Sequence, residues 1–191
     1  MRVDPLTLFH EWLDEAAAGL ELPEAMTLAT SDGGGRPSAR TVLLKSVDER
    51  GFTFFTNYES RKGRELAENP RAALVFHWAQ EPRRQVLVGG RVERLPEVES
   101  DEYWATRPLG SRLAAWASHQ SERVPDREAL ERAYADAAAA YGDDPPRPPY
   151  WGGYVLVPET LEFWESRPNR LHERFRYTRT ENGWKREILA P

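Results

Sequence analysis

The sequence predicts a mainly β protein with flanking helices, in which one antiparallel sheet closes or splits into a barrel. Three observations carry this. Short β-rich runs at period two, separated by Gly-, Pro- and Asp-bearing turns, occupy both ends of the chain. Helical patterns fill the stretch between them. At 191 residues, 40% hydrophobic and 11% aromatic, the chain can bury a substantial core as a single domain over 1–191.

The amino-terminal helix falls within 1–19. Asp4 is its N-cap, Pro5 takes the first helical position, Leu6, Phe9, Leu13 and Ala17 recur at helical spacing, and Gly19 closes it. The first barrel strands lie in 25–95, as "AMTLAT", "SARTVLLKS", "FTFFT", "AALVFHW" and "RQVLVGGRVERL", divided by "SDGGGRP", "VDERG" and "AQEPR". One helix interrupts them, capped by Ser60 over "RKGRELAEN" and stopped by Pro70. The segment 96–142 is helical: "EVESDEYWATR", "SRLAAWAS" and "DREALERAYADAAAAYG", whose apolar faces are expected to pack on the sheet. "DDPPRPP" is a stiff extended connector. Four strand-like runs then fill 150–191: "WGGYVLV", "TLEFWES", "ERFRYTRT" and "WKREIL".

A net charge of −5 argues against a nucleic-acid partner, which requires a basic footprint. Basic residues must therefore act locally. The absence of cysteine excludes disulfides, zinc thiolates and a thiol nucleophile. The four histidines, His10, His77, His119 and His172, show no metal-ligand spacing, so a metal-free mechanism is expected. The sequence has no membrane-length apolar run, and "MRVDPLTLFHEWL" lacks a signal-peptide core, which predicts a cytoplasmic protein.

With no G-x-G-x-x-G after a strand and no G-x-x-x-x-G-K-[ST], and with Gly33 to Gly35 in a hairpin turn, any phosphate must be held by side chains. Arg61 and Lys62 start a helix, where the free N–H groups and the helix dipole already favour an anion. Arg40 and Lys45, five apart on one strand, are expected on opposite faces, serving two anions or one subunit each side. Tyr103, Arg107 and Ser111 recur at i, i+4 and i+8 across Pro108. In "NRLHERF", strand geometry would put Arg170, His172 and Arg174 on one face and Leu171 and Phe175 behind.

Together, "DPLTLF", "RTVLLK", "FTNYESRK", "NPRAALVF", "RQVLVGG", "RPLGS", "AWASHQS", "WGGY", "EFW" and the terminal "RLHERF" resemble, in order and spacing over residues 4–191, the pyridoxamine 5′-phosphate oxidases. The resemblance implies an FMN-binding split β-barrel that works as a homodimer, with flavins in clefts between the subunits. It implies oxidation of pyridoxamine or pyridoxine 5′-phosphate to pyridoxal 5′-phosphate with O2 as acceptor and H2O2 as product. Carried over residue by residue, Arg40, Thr41, Val42, Leu43, Leu44 and Lys45 run along the flavin, Phe55 and Thr56 lie beside the ring, and Arg61 and Lys62 hold its phosphate. Gln85, Gln120, Ser121, Trp164 and Arg174 complete the cofactor contacts. Lys45, Tyr103, Arg107 and Ser111 match the cradle for the substrate phosphate, and Arg170 and His172 match residues that close over the pyridine ring.

Phe55 stands where a tyrosine is common, and Glu173 where "RLHDR" has aspartate. Only Met1, Arg2 and Val3 precede Asp4, where many relatives carry a basic, tyrosine-containing segment, so a more open substrate cleft is expected. Two alternatives share the scaffold: a sister flavin oxidase with a phenazine-type substrate, and a non-catalytic FMN- or pyridoxal-phosphate-binding protein. Turnover with O2 separates catalysis from carriage.

Overall fold

The computed structural model describes residues 4–191; the short segment ahead of Asp4, on which the expectation of an open cleft rests, lies outside the described residues. The order of elements is α1 (Pro5–Ala17), β1 (Ala25–Ser31), β2 (Pro37–Leu43), β3 (Ser46–Asp48), β4 (Gly51–Asn57), α2 (Arg61–Glu68), β5 (Arg71–Trp78) and β6 (Arg84–Arg94), followed by α3 (Glu97–Thr106), α4 (Leu109–Ala117), α5 (Arg127–Tyr141), β7 (Trp151–Glu165), β8 (Glu173–Thr180) and β9 (Gly183–Ile188).

All the strand pairs are antiparallel, in the order β2-β1-β5-β6-β7-β4-β3, with β8 on β7 and β9 on β8. The two ends of this path, β2 and β3, are consecutive pieces of one segment. At the joint the Leu44 N–H still donates toward the β1 side, to Glu24 O at 3.0 Å, while the Lys45 N–H already donates to Thr53 O of β4 at 2.8 Å. The sheet therefore curls back on itself as a split barrel.

Alternate residues fill its interior: Leu28, Leu74, Val88 and Leu161 line up across four strands, and all are fully buried. Helix α1 closes one opening. Phe9 meets Phe52 and Phe76 edge-on at 4.9 Å each, and Trp12 meets Phe163 at 5.2 Å. The buried stripe of α1 is Pro5, Phe9, Trp12 and Ala16, rotated from the expected Leu6, Phe9, Leu13 and Ala17, because the large rings at 9 and 12 claim the core.

Three further expectations are corrected. "WGGYVLV" and "TLEFWES" form one strand, β7, because Pro158 sits at a bulge where the β6 register shifts between Gly89 and Gly90, a place that tolerates a residue without an N–H. The helices of 96–142 do not all pack on the sheet: α3 lies on β7, but α5 packs on α4, where Trp116 stacks on Tyr141 at 4.5 Å. "NRLHERF" is not a continuous strand. Pro168 opens a 3₁₀ turn, and Asn169 and Arg170 both take left-handed backbone (φ 59° and 62°), so strand geometry begins only at Glu173. Leu171 is consequently 71% exposed and packs behind nothing. Among the described residues no helix is long and apolar enough to cross a membrane.

Candidate functional site

A cavity of about 960 Å³ opens between the outer side of β2 and β4, the start of α2, the α3–α4 corner and the loop 118–121. Its size suits a cofactor together with a small substrate. Its lining includes Arg40, Thr41, Val42, Leu43, Lys45, Phe55, Thr56, Arg61, Lys62, Tyr103, Arg107, Ser111, Gln120 and Ser121, so both cationic groups read from the sequence face one space. Arg40 and Lys45 share this cavity instead of lying on opposite faces, because regular strand geometry ends at Leu43 and the chain turns before Lys45. The side chain of Leu44 points the other way, into the core, at 5% exposure.

At one end, Ser60 caps α2 by accepting from the Gly63 N–H at 3.3 Å. This leaves the first turn of the helix open toward the cavity. The Arg61 N–H donates to Ser121 Oγ at 3.1 Å, and Ser121 itself holds a left-handed backbone (φ 77°) to reach it. Lys62 is buried, yet among the described residues its Nζ donates only to neutral oxygens: Gln120 Oε1 at 2.8 Å, and Thr56 Oγ1 and Ser60 Oγ at 3.1 Å each. Burial, and then the positive charge of Arg40, push its pKa down to about 8 against the opposing pull of Glu65.

At the other end, local packing sets the geometry. Gly152 of β7 lets α3 approach, since a Cβ there would fall 2.9 Å from Ser100 Oγ, and Gly153 leaves room for Leu95 and Phe55, which a Cβ would meet at 2.6 and 2.8 Å. The Gly153 N–H donates to Ser100 Oγ of α3 at 3.0 Å. One turn later, Tyr103 stacks on Phe55 at 3.9 Å and 18°. Pro108 then turns the chain, so Arg107 folds back over Trp151 at 4.4 Å while its Nη2 donates to Ser111 O at 3.0 Å. Lys45 Nζ hangs 6.0 Å from the Tyr103 ring. Among the described residues, Arg107 Nε is buried without a partner. Burial lowers the pKa of Arg107, opposed by Tyr103.

The remaining predicted residues lie elsewhere. Cross-strand register places His77, Gln85, Trp164 and Arg174 in one row across β5, β6, β7 and β8, on the face opposite the core residues Phe76, Val86 and Phe163. The His172 ring rests on Trp164 at 4.6 Å, and its Nδ1 accepts from the Arg167 N–H at 3.1 Å, so the neutral ring carries its proton on Nε2. Arg174 Nε donates to Glu162 Oε1 at 2.6 Å. None of these residues, nor Arg170, lines the cavity. Trp151 and Trp164 stand near opposite ends of β7, roughly 40 Å apart along the strand at about 3.3 Å per residue. One protomer therefore presents two separate groups.

Sequence reasoning missed Trp151 and Glu65. Trp151 floors the cavity beneath Arg107. Glu65 lies one helical turn after Arg61, an i,i+4 signal that by itself usually marks a surface pair; it is described below.

Residues 13–140 match the profile of a family described as pyridoxamine 5′-phosphate oxidase, and residues 151–191 match a pyridoxine 5′-phosphate oxidase C-terminal dimerisation region. The chain is 59% identical over 190 residues to the pyridoxine/pyridoxamine 5′-phosphate oxidase of Cupriavidus taiwanensis, covering 98% of this chain and 89% of that protein. To the oxidase of the same description from Burkholderia thailandensis it is 57% identical over 192 residues, with the same coverage. Among solved structures, PhzG from Burkholderia lata, in complex with tetrahydrophenazine-1-carboxylic acid, superposes with a TM-score of 0.93 at 40% identity, covering 98% of this chain and 93% of that one. A pyridoxamine 5′-phosphate oxidase-related, FMN-binding protein from Nostoc punctiforme shares the fold at a TM-score of 0.78 and 20% identity, over 100% of both chains.

Proposed function

The chain belongs to the pyridoxamine 5′-phosphate oxidase family, and from that premise we propose that it is an FMN-dependent oxidase of pyridoxamine or pyridoxine 5′-phosphate. The observation that carries this reading is one cavity lined by two cationic groups, Arg61 and Lys62 at one end and Lys45 and Arg107 at the other, of which, among the described residues, Arg61 alone has a carboxylate partner, Glu65 on its Nε. Two such groups suit two phosphates, one on the cofactor and one on the substrate.

FMN fits the first end. Lys62 is a buried ammonium held only by neutral oxygens, and α2 offers its amino-terminal turn beside it. When bound, FMN would supply the redox chemistry, accepting a hydride equivalent from C4′ while the nitrogen or oxygen on C4′ gives up a proton, so that two electrons and two protons reach O2 as H2O2. With the amine substrate, water enters and ammonia leaves; with the alcohol, the aldehyde forms directly.

The chain's own residues bind and orient. Arg61, Lys62, Gln120 and Ser121 hold the cofactor phosphate, and Thr41 to Leu43, Phe55 and Thr56 flank the ring. Lys45, Tyr103, Arg107 and Ser111 hold the substrate phosphate. Because Gln85, Trp164 and Arg174 lie far from this cavity within one protomer, we assign them to the flavin of a second copy, consistent with the match to a dimerisation region. Arg170 and His172 travel with them and close over the pyridine, His172 presenting the Nε2 proton. Positioning therefore carries the main catalytic share of the protein.

Anaerobic mixing of the flavin-loaded protein with pyridoxamine 5′-phosphate should bleach the flavin, and air should restore it with release of H2O2. No bleaching would sink the oxidase reading and leave a flavin carrier. The similarity to PhzG favours a second reading, a sister oxidase with a tricyclic substrate. Faster flavin bleaching by the tricyclic acid than by the B6 phosphate would select it.

A further inference from the structure

Glu65 is 5% exposed and does not line the cavity, yet four donors from three elements converge on it. Its Oε2 accepts from Thr30 Oγ1 of β1 at 2.5 Å, and from Ser38 Oγ and Arg40 Nη2 of β2 at 2.5 and 3.2 Å. Its Oε1 accepts from Arg61 Nε at 2.8 Å. Burial alone would raise its pKa, but the hydrogen bonds from Ser38, Thr30, Arg61 and Arg40 outweigh burial and hold it at about 2. Glu65 is therefore a buried, permanent anion at the back of a site that binds anions. Such a charge costs free energy unless its partners are well placed.

The two arginines are engaged differently. Arg40 is locked into the wall: its Nη1 donates to Leu28 O and Thr30 Oγ1 at 3.0 and 2.6 Å, and its Nη2 to Ser38 Oγ at 2.5 Å as well as to Glu65. Arg61 is held only by Nε, at the base of its fork, and its terminal nitrogens have no acceptor among the described residues. An arginine gripped this way keeps its two parallel donors for a phosphate. Of the three cations here, Arg40, Arg61 and Lys62, Glu65 offsets one, leaving the net charge that a phosphate dianion requires.

We propose that Glu65 is a positioning residue of the anion site: it aims Arg61 by its Nε and fixes Arg40 as a background charge, without touching the ligand. This rests on the reading of that end of the cavity as the FMN phosphate site.

The test uses flavin-free protein titrated with FMN and with riboflavin, followed by flavin fluorescence, for the wild type, Glu65→Gln, Arg61→Ala and the double variant. Glu65→Gln should weaken FMN about 10-fold or more through misalignment of a charge-assisted bond, and should alter riboflavin less than about threefold. In the Arg61→Ala background the same substitution should change FMN affinity by less than about threefold, because the coupling partner is gone. Arg61→Lys, which leaves Glu65 in place, should lose nearly as much FMN affinity as Arg61→Ala, since an ammonium cannot hold Glu65 and still present a fork. Equal losses for riboflavin, a full loss persisting without Arg61, or wild-type affinity in Arg61→Lys would each overturn the positioning role. Should Glu65→Gln fail to fold, Arg61→Lys decides. A wild-type protein that binds FMN no better than riboflavin instead overturns the phosphate-site reading, and this inference with it.

Discussion

Replacing Arg107 with alanine should raise KM for the phosphorylated substrate while leaving FMN bound. The guanidinium lies 4.4 Å over Trp151 and 5.4 Å over Trp104, donates from Nη2 to Ser111 O, and has a buried Nε with no partner. A charge-assisted hydrogen bond to phosphate contributes about 1.5–3 kcal/mol. At about 1.4 kcal/mol per decade, its loss becomes a rise in KM of roughly 10- to 100-fold. Stability should barely move. Truncation loses a cation–π contact of about 0.5–2 kcal/mol and the hydrogen bond to Ser111 O, about 0.5–1.5 kcal/mol, but also removes an unsatisfied buried donor costing about 1–3 kcal/mol. These offset, so Tm should stay within about 4 °C of the wild type. The assay is steady-state kinetics per bound flavin, with pyridoxamine 5′-phosphate and with pyridoxamine lacking phosphate. Equal KM increases for both compounds, or loss of flavin, would refute the assignment of Arg107 to the substrate phosphate.

Lys62, with its pKa lowered to about 8, is charged below that pH, and a bound dianion raises its pKa; affinity for FMN should therefore be full below about pH 7.5 and weaken by up to about tenfold per unit as pH rises through 8. Around Lys62 the charged groups are Arg40 of β2 and Arg61 and Glu65 of its own helix, while the loop 118–121 contributes uncharged Gln120 and Ser121, its His119 lying toward Tyr150; Lys62→Met should flatten the profile, and a wild-type profile already flat from about pH 7 to 9.5 would discard the role of Lys62. Arg170→Gly should relieve a left-handed backbone costing about 1 kcal/mol and leave Tm unchanged or slightly higher, while kcat/KM falls about 100-fold; Leu171→Ala, at an exposed position, should alter neither by much. Mixing an Arg61→Ala/Lys62→Ala chain with an Arg174→Ala chain should restore about a quarter of wild-type activity, since half the dimers are mixed and each has one intact site; absence of restored activity once exchange is verified would show that one chain supplies both groups.

Much of the fold was legible because local chemistry and tertiary packing agree. Asp4 and Ser60 cap their helices as their spacing predicts, and the turn at Gly33 to Gly35 joins β1 to β2 as a hairpin. The failures share one physical cause, backbone that departs from its local period. Pro158 reads as a break but sits in a bulge. The R-x-H-x-R of residues 170–174 reads as a strand face, but two consecutive left-handed residues destroy the alternation before Glu173. Lys45 shares a cavity with Arg40 because the chain leaves β2 between them. Glu65 could not be recognised from its spacing to Arg61, since its other donors come from Thr30, Ser38 and Arg40, which only the curl of the sheet brings together.

An acidic chain can bind two phosphates because its charges are sorted by place. Carboxylates neutralise many arginines away from the cavity: Glu15 and Glu165 hold Arg84, Asp144 holds Arg112, Asp101 holds Arg147, and Glu162 holds Arg174. Inside the cavity the pattern reverses. Among the described residues Lys62 has only neutral oxygens within hydrogen-bond reach, Arg107 has aromatic rings and a backbone carbonyl, and Glu65, the carboxylate behind Lys62, is engaged by Arg40 and Arg61. A cation whose terminal donors already hold a carboxylate gains little from a phosphate, because binding must first break that pair; Glu65 grips Arg61 by Nε and leaves its terminal nitrogens without an acceptor among the described residues. A cation kept bare in a partly buried wall gains the full interaction, and the burial that keeps Lys62 bare also lowers its pKa. The net charge of −5 is therefore a poor guide to the site, whose affinity for anions is set by where carboxylates are withheld.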